Sequence, residues 1–239
     1  MKLIEQKENQ IIFTAEIEES LANSIRRYLN RIPLVAVDEV EISKNDSALY
    51  DETIAHRIGL IPIKMEKSTS EKKTYKMHLD VKKEGNVYSK DLVGDLKVVY
   101  GNIPLTNLAK NQELKLSATL ISGKGKDHAK FSPGLMFYRN LMDIKIDKDC
   151  PKEIIDICPK GVFELKDGKV VVKEAAKCDD CDACIEFCRK KGKDPIKLTS
   201  TNELVITIES FGQLDVKEIL PRAIEELKKD LLNVSKDLK

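Results

Sequence analysis

All six cysteines of this 239-residue chain lie between positions 150 and 188, and the long stretches on either side have none. A disulfide-stapled secreted scaffold spreads its cysteines through a short chain. Crowding into one segment of a long chain points instead to a metal site. Cys178, Cys181, Cys184 and Cys188 have the spacing C-x2-C-x2-C-x3-C. That is the spacing of bacterial-type ferredoxins, in which three thiolates wrap one iron–sulfur cluster and the fourth serves another. Ligands set so closely on a tight loop can each reach a different corner of a cubane. A mononuclear zinc site pairs two separated knuckles and suits the run poorly.

The fourth ligand is expected to be Cys158, which is followed by Pro159, because a Cys-Pro pair completes the neighbouring cluster in two-motif ferredoxins. Between Cys158 and Cys178 the segment VFELKDGKVVV sets Asp167-Gly168 between two apolar runs, a strong short-range hairpin signal. One cluster held by Cys158, Cys178, Cys181 and Cys184 is therefore expected. Counting back from Cys158 by the same spacing meets Ile154, Pro151 and Lys148 where further thiolates would stand, so a second complete cluster is not expected. Cys150 and Cys188 are left over, as a disulfide or as two free thiols. The competing reading is a zinc-stabilised or disulfide-stapled subdomain. A cluster that only holds its subdomain together is favoured over electron transfer, since the chain shows no flavin or nicotinamide fingerprint.

Charge narrows the remaining classes. Lys and Arg number 41 against 40 Asp and Glu, a formal net charge of +1 although 34% of residues are charged. Bulk electrostatic binding of nucleic acid needs a basic excess to displace counterions, so direct binding of that kind is not expected. At 41% hydrophobic the chain can bury a core. It has no run of about 18 apolar residues, and its charged beginning does not suit a signal peptide, so a soluble, cytoplasmic protein without membrane contact is expected.

Periodicity places matching units at the two ends. Ile11, Phe13, Ala15 and Ile17 alternate as in a half-buried strand. Leu21, Ile25, Tyr28, Leu29 and Ile32 then recur at helical spacing, with Ser20 able to cap the start and Pro33 the stop. Near the other end Leu204, Ile206 and Ile208 alternate. After Gly212, the residues Val216, Ile219, Leu220, Ala223, Leu227 and Leu231 keep a helical rhythm. Between them, 33–42, 96–100 and 114–121 are expected strands, ETIAHRIGLIPI a short helix ended by Gly59 and Pro62, and the hydrophilic 64–90 loops and edge strands. The chain ends either join around a long insertion or pack separately.

Other motifs are weaker. GKGKDHAK at 123–130 lacks the spacing of a Walker phosphate loop. His56, His78 and His128 are scattered, and a structural or surface role is the default for each. Asp38-Glu39 and Asp51-Glu52 read as solvated faces, while Arg26-Arg27 with Arg31 is either a solvated helix face or a salt-bridging surface for a partner protein. No nucleophile–base pairing, and so no catalytic residue, can be argued.

Taken together, these stretches resemble the archaeal members of an RNA polymerase family that includes the eukaryotic third subunit and bacterial alpha. The match is strongest over NSIRRYLNRIPLVAVDEVEISKNDSALYDETIAHRIGLIPI (23–63), where Asn23, Arg26, Arg27, Asn45, Ser47, Asp51, Glu52, Arg57 and Gly59 fall on signature positions. GKGKDHAKFSPG (123–134) is similar to a family loop, with Phe131 where many relatives have Trp. ESFGQLDVKEILPRAIEEL (209–227) is similar to the family's closing strand and helix. The resemblance implies an α+β fold: a discontinuous alpha-like dimerisation domain from 1–42 and 200–239, an inserted, mainly β domain over 43–145, and a ferredoxin-like iron–sulfur subdomain over 146–199. It implies a non-catalytic assembly and scaffold subunit of DNA-directed RNA polymerase. That subunit would form a heterodimer with the small subunit L through the two amphipathic helices, which carry Leu21, Ile25, Leu29, Val216, Ile219, Leu220, Ala223 and Leu227. Subunits N and P would lie nearby, and the loop carrying His128 and the stretch from Arg26 and Arg27 to Gly59 would be surfaces for the second-largest polymerase subunit or for subunit fit. The cofactor implied is one iron–sulfur cluster, a 4Fe-4S form, with a 3Fe-4S form lacking one thiolate contact as its variant. The reading from a different class is a ferredoxin-like electron-transfer subunit of an oxidoreductase.

Overall fold

The computed structural model describes residues 1–66 and 73–238; residues 67–72, part of the hydrophilic stretch read as loop, lie outside it. In chain order the elements are β1 (Lys2–Gln6), β2 (Gln10–Ala15), α1 (Glu19–Tyr28), β3 (Pro33–Asn45), α2 (Asp51–Gly59), β4 (Tyr75–Val81), β5 (Gly85–Tyr88), β6 (Val93–Gly94), β7 (Pro104–Leu108) and β8 (Leu114–Lys124). There follow β9 (Gly134–Ile146), α3 (Ile154–Ile157), β10 (Phe163–Lys166), β11 (Lys169–Val172), α4 (Ala183–Lys190), β12 (Ile196–Ser210) and α5 (Val216–Asp237). The chain divides into two compact units. One comprises Met1–Lys7, Ile11–Ala22 and Phe137–Thr207; the other comprises Glu8–Gln10, Asn23–Met136 and Ile208–Lys239. Among the described residues no helix is long and apolar enough to cross a membrane.

In the first unit a four-stranded sheet has the order β1-β2-β12-β9. Strands from the start and the end of the chain are therefore neighbours, and everything between β2 and β9 leaves and returns to one sheet. The cysteine segment follows β9 and precedes β12. Its two-stranded β10–β11 ribbon turns at Asp167 (φ 49°) and Gly168 (φ 76°). Positive φ at both central residues gives the twist that two-residue hairpins prefer, as the Asp-Gly pair announced.

The second unit contains the sheet β3-β8-β4-β6. Leu114, Leu116, Ala118 and Leu120 alternate on β8 and are all buried. The register puts Leu120 opposite Val37 and Tyr75, Ala118 opposite Val40 and Met77, and Leu116 opposite Ile42 and Leu79. One apolar face thus runs across three strands, and Ile54 and Ile58, one turn apart on α2, join its core.

Two elements differ from expectation. The first helix does not run to Ile32: α1 ends at Tyr28 and a 3-10 turn, Leu29–Arg31, follows. Ser20 lies inside the first turn, because the Glu18 carbonyl already accepts the N–H groups of Leu21 (3.1 Å) and Ala22 (3.0 Å). The expected strand at 96–100 is a single bridge between Val98 and Ile63, flanked by Lys64 N–H to Lys97 O and Val99 N–H to Pro62 O. Pro62 has no N–H to extend the ladder.

Close approach explains two glycines of the 123–134 loop. A Cβ on Gly123 would stand 2.5 Å from the Phe131 ring, and one on Gly134 would stand 1.9 Å from the Glu209 carbonyl oxygen. A ring can tilt, but the backbone of β12 cannot yield as cheaply. Gly134→Ala is expected to cost about 1–3 kcal/mol, read as a lower urea midpoint; an unchanged midpoint would contradict the packing described.

Candidate metal centre

The C-x2-C-x2-C loop is shaped by its backbone. A 3-10 turn, Ala175–Lys177, ends at Cys178, and beyond it Asp180 and Asp182 hold left-handed conformations at φ 55° and 57°. Aspartate tolerates this region better than most residues because its short side chain can bond locally. These reversals curl the chain from Cys178 past Cys181 into α4, which carries Cys184. Cys158 comes from a separate element, at the C-terminal end of α3. Cys158, Cys178, Cys181 and Cys184 all line one small pocket, walled by Pro159, Val162, Phe163 and Leu198. The structure thus brings together the four thiols that the spacing singled out.

The four differ in setting. Cys181 is exposed, Cys158 and Cys178 are half-buried and Cys184 is buried. Burial pushes the Cys184 thiol up to about 11 and also raises Cys178, so a bound metal would displace protons from both. Four thiols are a soft donor set of the kind that selects zinc or an iron–sulfur cluster. Among the described residues no three His, Cys, Asp or Glu side chains gather tightly enough for one metal ion. A tetrahedral zinc with Zn–S near 2.3 Å would need sulfurs only about 4 Å apart. Four thiols around one apolar-walled pocket are a donor set that fits an iron–sulfur cluster.

Cys150 and Cys188 stand together. Each thiol feels the other electrostatically, and neither is in a disulfide. Cys188 is fully buried, and the pair packs with Met142, Ile144, Ile154 and Ile196. Ile154, one of the positions where a second cluster would need a thiolate, is fully buried in the same hydrocarbon cluster.

Most of the signature polar residues make local bonds. Arg26 donates from Nε (3.2 Å) and Nη2 (2.9 Å) to Asn23 Oδ1. Asn45 organises the β3–α2 turn: its Nδ2 donates to Leu49 O at 2.8 Å and Asp51 Oδ1 at 2.7 Å, while its Oδ1 accepts from Ser47 N–H and Oγ. Arg57 Nη1 reaches Leu105 O at 2.8 Å. His128 is exposed, and its Nδ1 accepts the Lys130 N–H, capping the 3-10 turn Ala129–Phe131. Arg27 and Glu52 are exposed.

The helices sort their apolar residues. Ile25, Leu29, Val216, Ile219 and Ala223 are buried within this chain, Leu220 and Leu227 are half-buried, and Leu21 is exposed. The 3-10 turn after α1 meets α5 through a shared acceptor: Tyr28 Oη and Arg31 Nη1 each donate to Asp230 Oδ2 at 3.0 Å, and the Arg31 guanidinium lies 5.0 Å from the Tyr28 ring centre. The Tyr28 hydroxyl is raised above its ordinary value, first by burial and then by its bond to Asp230. Past this anchor Leu231, Leu232, Val234 and Leu238 are 59%, 62%, 56% and 83% exposed. Sequence periodicity missed this division, because it marks an apolar face without saying what covers it.

The β3–β8 sheet with α2 packed beside it defines a class of protein. Residues 22–136 match the family described as the RNA polymerase Rpb3/RpoA insert domain. The chain is also similar to curated relatives along nearly its whole length. The DNA-directed RNA polymerase subunit Rpo3 of Pyrococcus furiosus is 34% identical, with 95% of this chain and 92% of the relative covered. That of Thermococcus kodakarensis is 33% identical over the same shares, and that of Archaeoglobus fulgidus 32% identical over 95% and 93%. The chain belongs to the Rpo3 family of archaeal RNA polymerase subunits.

The thiol pair yields a reactivity prediction. Burial, then the neighbouring Cys188, pushes Cys150 up to about 12, so its thiolate is scarce near neutral pH, and thiolate is what an alkylating agent attacks. Iodoacetamide on the reduced native protein is expected to spare Cys150 and Cys188 and to label both after denaturation. Peptide mass spectrometry reads the result, and prompt native labelling of the pair would contradict their placement.

Proposed function

We propose that this chain is a non-catalytic assembly subunit of archaeal DNA-directed RNA polymerase. It pairs with the small subunit L as an alpha-like heterodimer on which the large subunits gather, with the second-largest subunit and subunits N and P as further neighbours. The observation that carries the partner reading is the uncovered apolar end of α5. Leu231, Leu232 and Val234, with Leu238 at its C-terminal cap, continue a 22-residue amphipathic helix beyond the residues that this chain itself buries. Burying one such side chain is worth about 1.5–3 kcal/mol, and clustered apolar exposure of this kind marks an interaction surface. Family membership along nearly the full chain supports the polymerase context over a ferredoxin-like electron-transfer subunit of an oxidoreductase.

The same reading gives the cysteine subdomain one iron–sulfur cluster, held by Cys158, Cys178, Cys181 and Cys184. When bound, the cluster supplies four strong cross-links between segments that otherwise share a small core. Its part in the polymerase is to brace the segment between β9 and β12.

Co-expression with the small alpha-like subunit is expected to give a stable heterodimer on size exclusion. Replacing Leu231 and Leu238 together by Asp should weaken pairing by about tenfold or more while leaving the thermal unfolding of the isolated chain unchanged. A well-behaved monomer that ignores the partner would overturn the proposal.

A further inference from the structure

The cysteine loop is tied to β9 by one guanidinium. Arg139 donates from Nε to the carbonyl oxygen of Cys178 at 3.0 Å and from Nη2 to that of Ala176. These carbonyls lie at the end of the 3-10 turn Ala175–Lys177, where the last carbonyls of a helical turn have no partner within it. Arg139 is half-buried and lines a cleft with Glu19, Tyr138, Asn140, Asp179 and Asp180. Its stem thus rises from a sheet strand and its fork ends on the backbone of a pocket-lining cysteine.

We propose that Arg139 is a positioning residue for the cluster, an inference that rests on the cluster reading above. Two N–H donors in a planar fork fix both the place and the direction of the segment they hold, which a lysine ammonium cannot do. The segment held is the entry to the loop. Immediately beyond it lie the left-handed Asp180 and Asp182, so without the fork the carbonyls of Ala176 and Cys178 would lose the side-chain donors that hold the entry to the loop. Partners of this outer kind orient metal ligands, and their loss typically costs about 10–100-fold in metal affinity. Arg139 also carries a permanent positive charge to the carbonyl of a ligand residue. A cluster with four thiolate ligands is anionic, and its potential depends on nearby charge and hydrogen bonds. The guanidinium therefore favours the reduced form.

The test compares the full chain, isolated without oxygen, with R139M and R139K. Iron and sulfide per chain, the rate of iron release to a chelator, and the midpoint potential from a dye-mediated titration followed by electron paramagnetic resonance are measured. R139M is expected to release iron about tenfold faster or more and to hold its remaining cluster at a lower potential. R139K is expected to restore the potential but only part of the retention, because it returns the charge without the fork. R139M with wild-type release and wild-type potential would overturn the proposal, and faster release at an unchanged potential would overturn the part played by charge. Wild-type protein without iron or sulfide would overturn the cluster reading itself, and this inference with it, so the two failures are distinguishable.

Discussion

Strands from opposite ends of the chain lie side by side in the sheet β1-β2-β12-β9, and this pairing governs the rest of the structure. A strand at a sheet edge exposes unpaired backbone groups, and β2 escapes that position only because β12 returns to it after the whole intervening chain. The β3–β8 sheet and the cysteine segment are therefore excursions from a frame closed by the termini. Closure over such a distance costs loop entropy, but only logarithmically in length. The fold can accordingly carry long insertions without losing its frame.

Each excursion is stabilised by different physics. The first buries the leucine-rich face of β8 against β3, β4 and α2 in one apolar core. The second has only a small core around Ile154, Val162, Phe163 and Cys188, and small cores generally need disulfides or metal. Its four pocket-lining thiols are the donors proposed to meet that need, and Cys150 and Cys188 do not line the pocket.

Much of this was legible in the residues themselves. The alternation of Leu114, Leu116, Ala118 and Leu120 marked β8, Asp167-Gly168 marked the β10–β11 turn, and cysteine spacing marked the pocket, because each pattern carries its geometry locally. The rest depends on partners distant in sequence. Residues 96–100 look like a strand until Val98, bridged to Ile63, proves to be their one residue in a β-bridge among the described residues. The apolar stripe of α5 reads as continuous, although the chain buries only its first half. Arg139 carries no local pattern at all, since its acceptors are backbone carbonyls nearly forty residues away. The signature residues Asn45 and Ser47 build the turn they sit in, through bonds that the residue types alone do not specify.

The central claim is that the four thiols around one pocket hold an iron–sulfur cluster on a polymerase assembly subunit. Iron and acid-labile sulfide measured on the protein isolated with its partner under anaerobic conditions test it most directly. The account predicts brown protein with iron and sulfide in equal amounts, lost together when Cys184 is replaced by serine. Colourless protein with stoichiometric zinc, or with no metal, would contradict it.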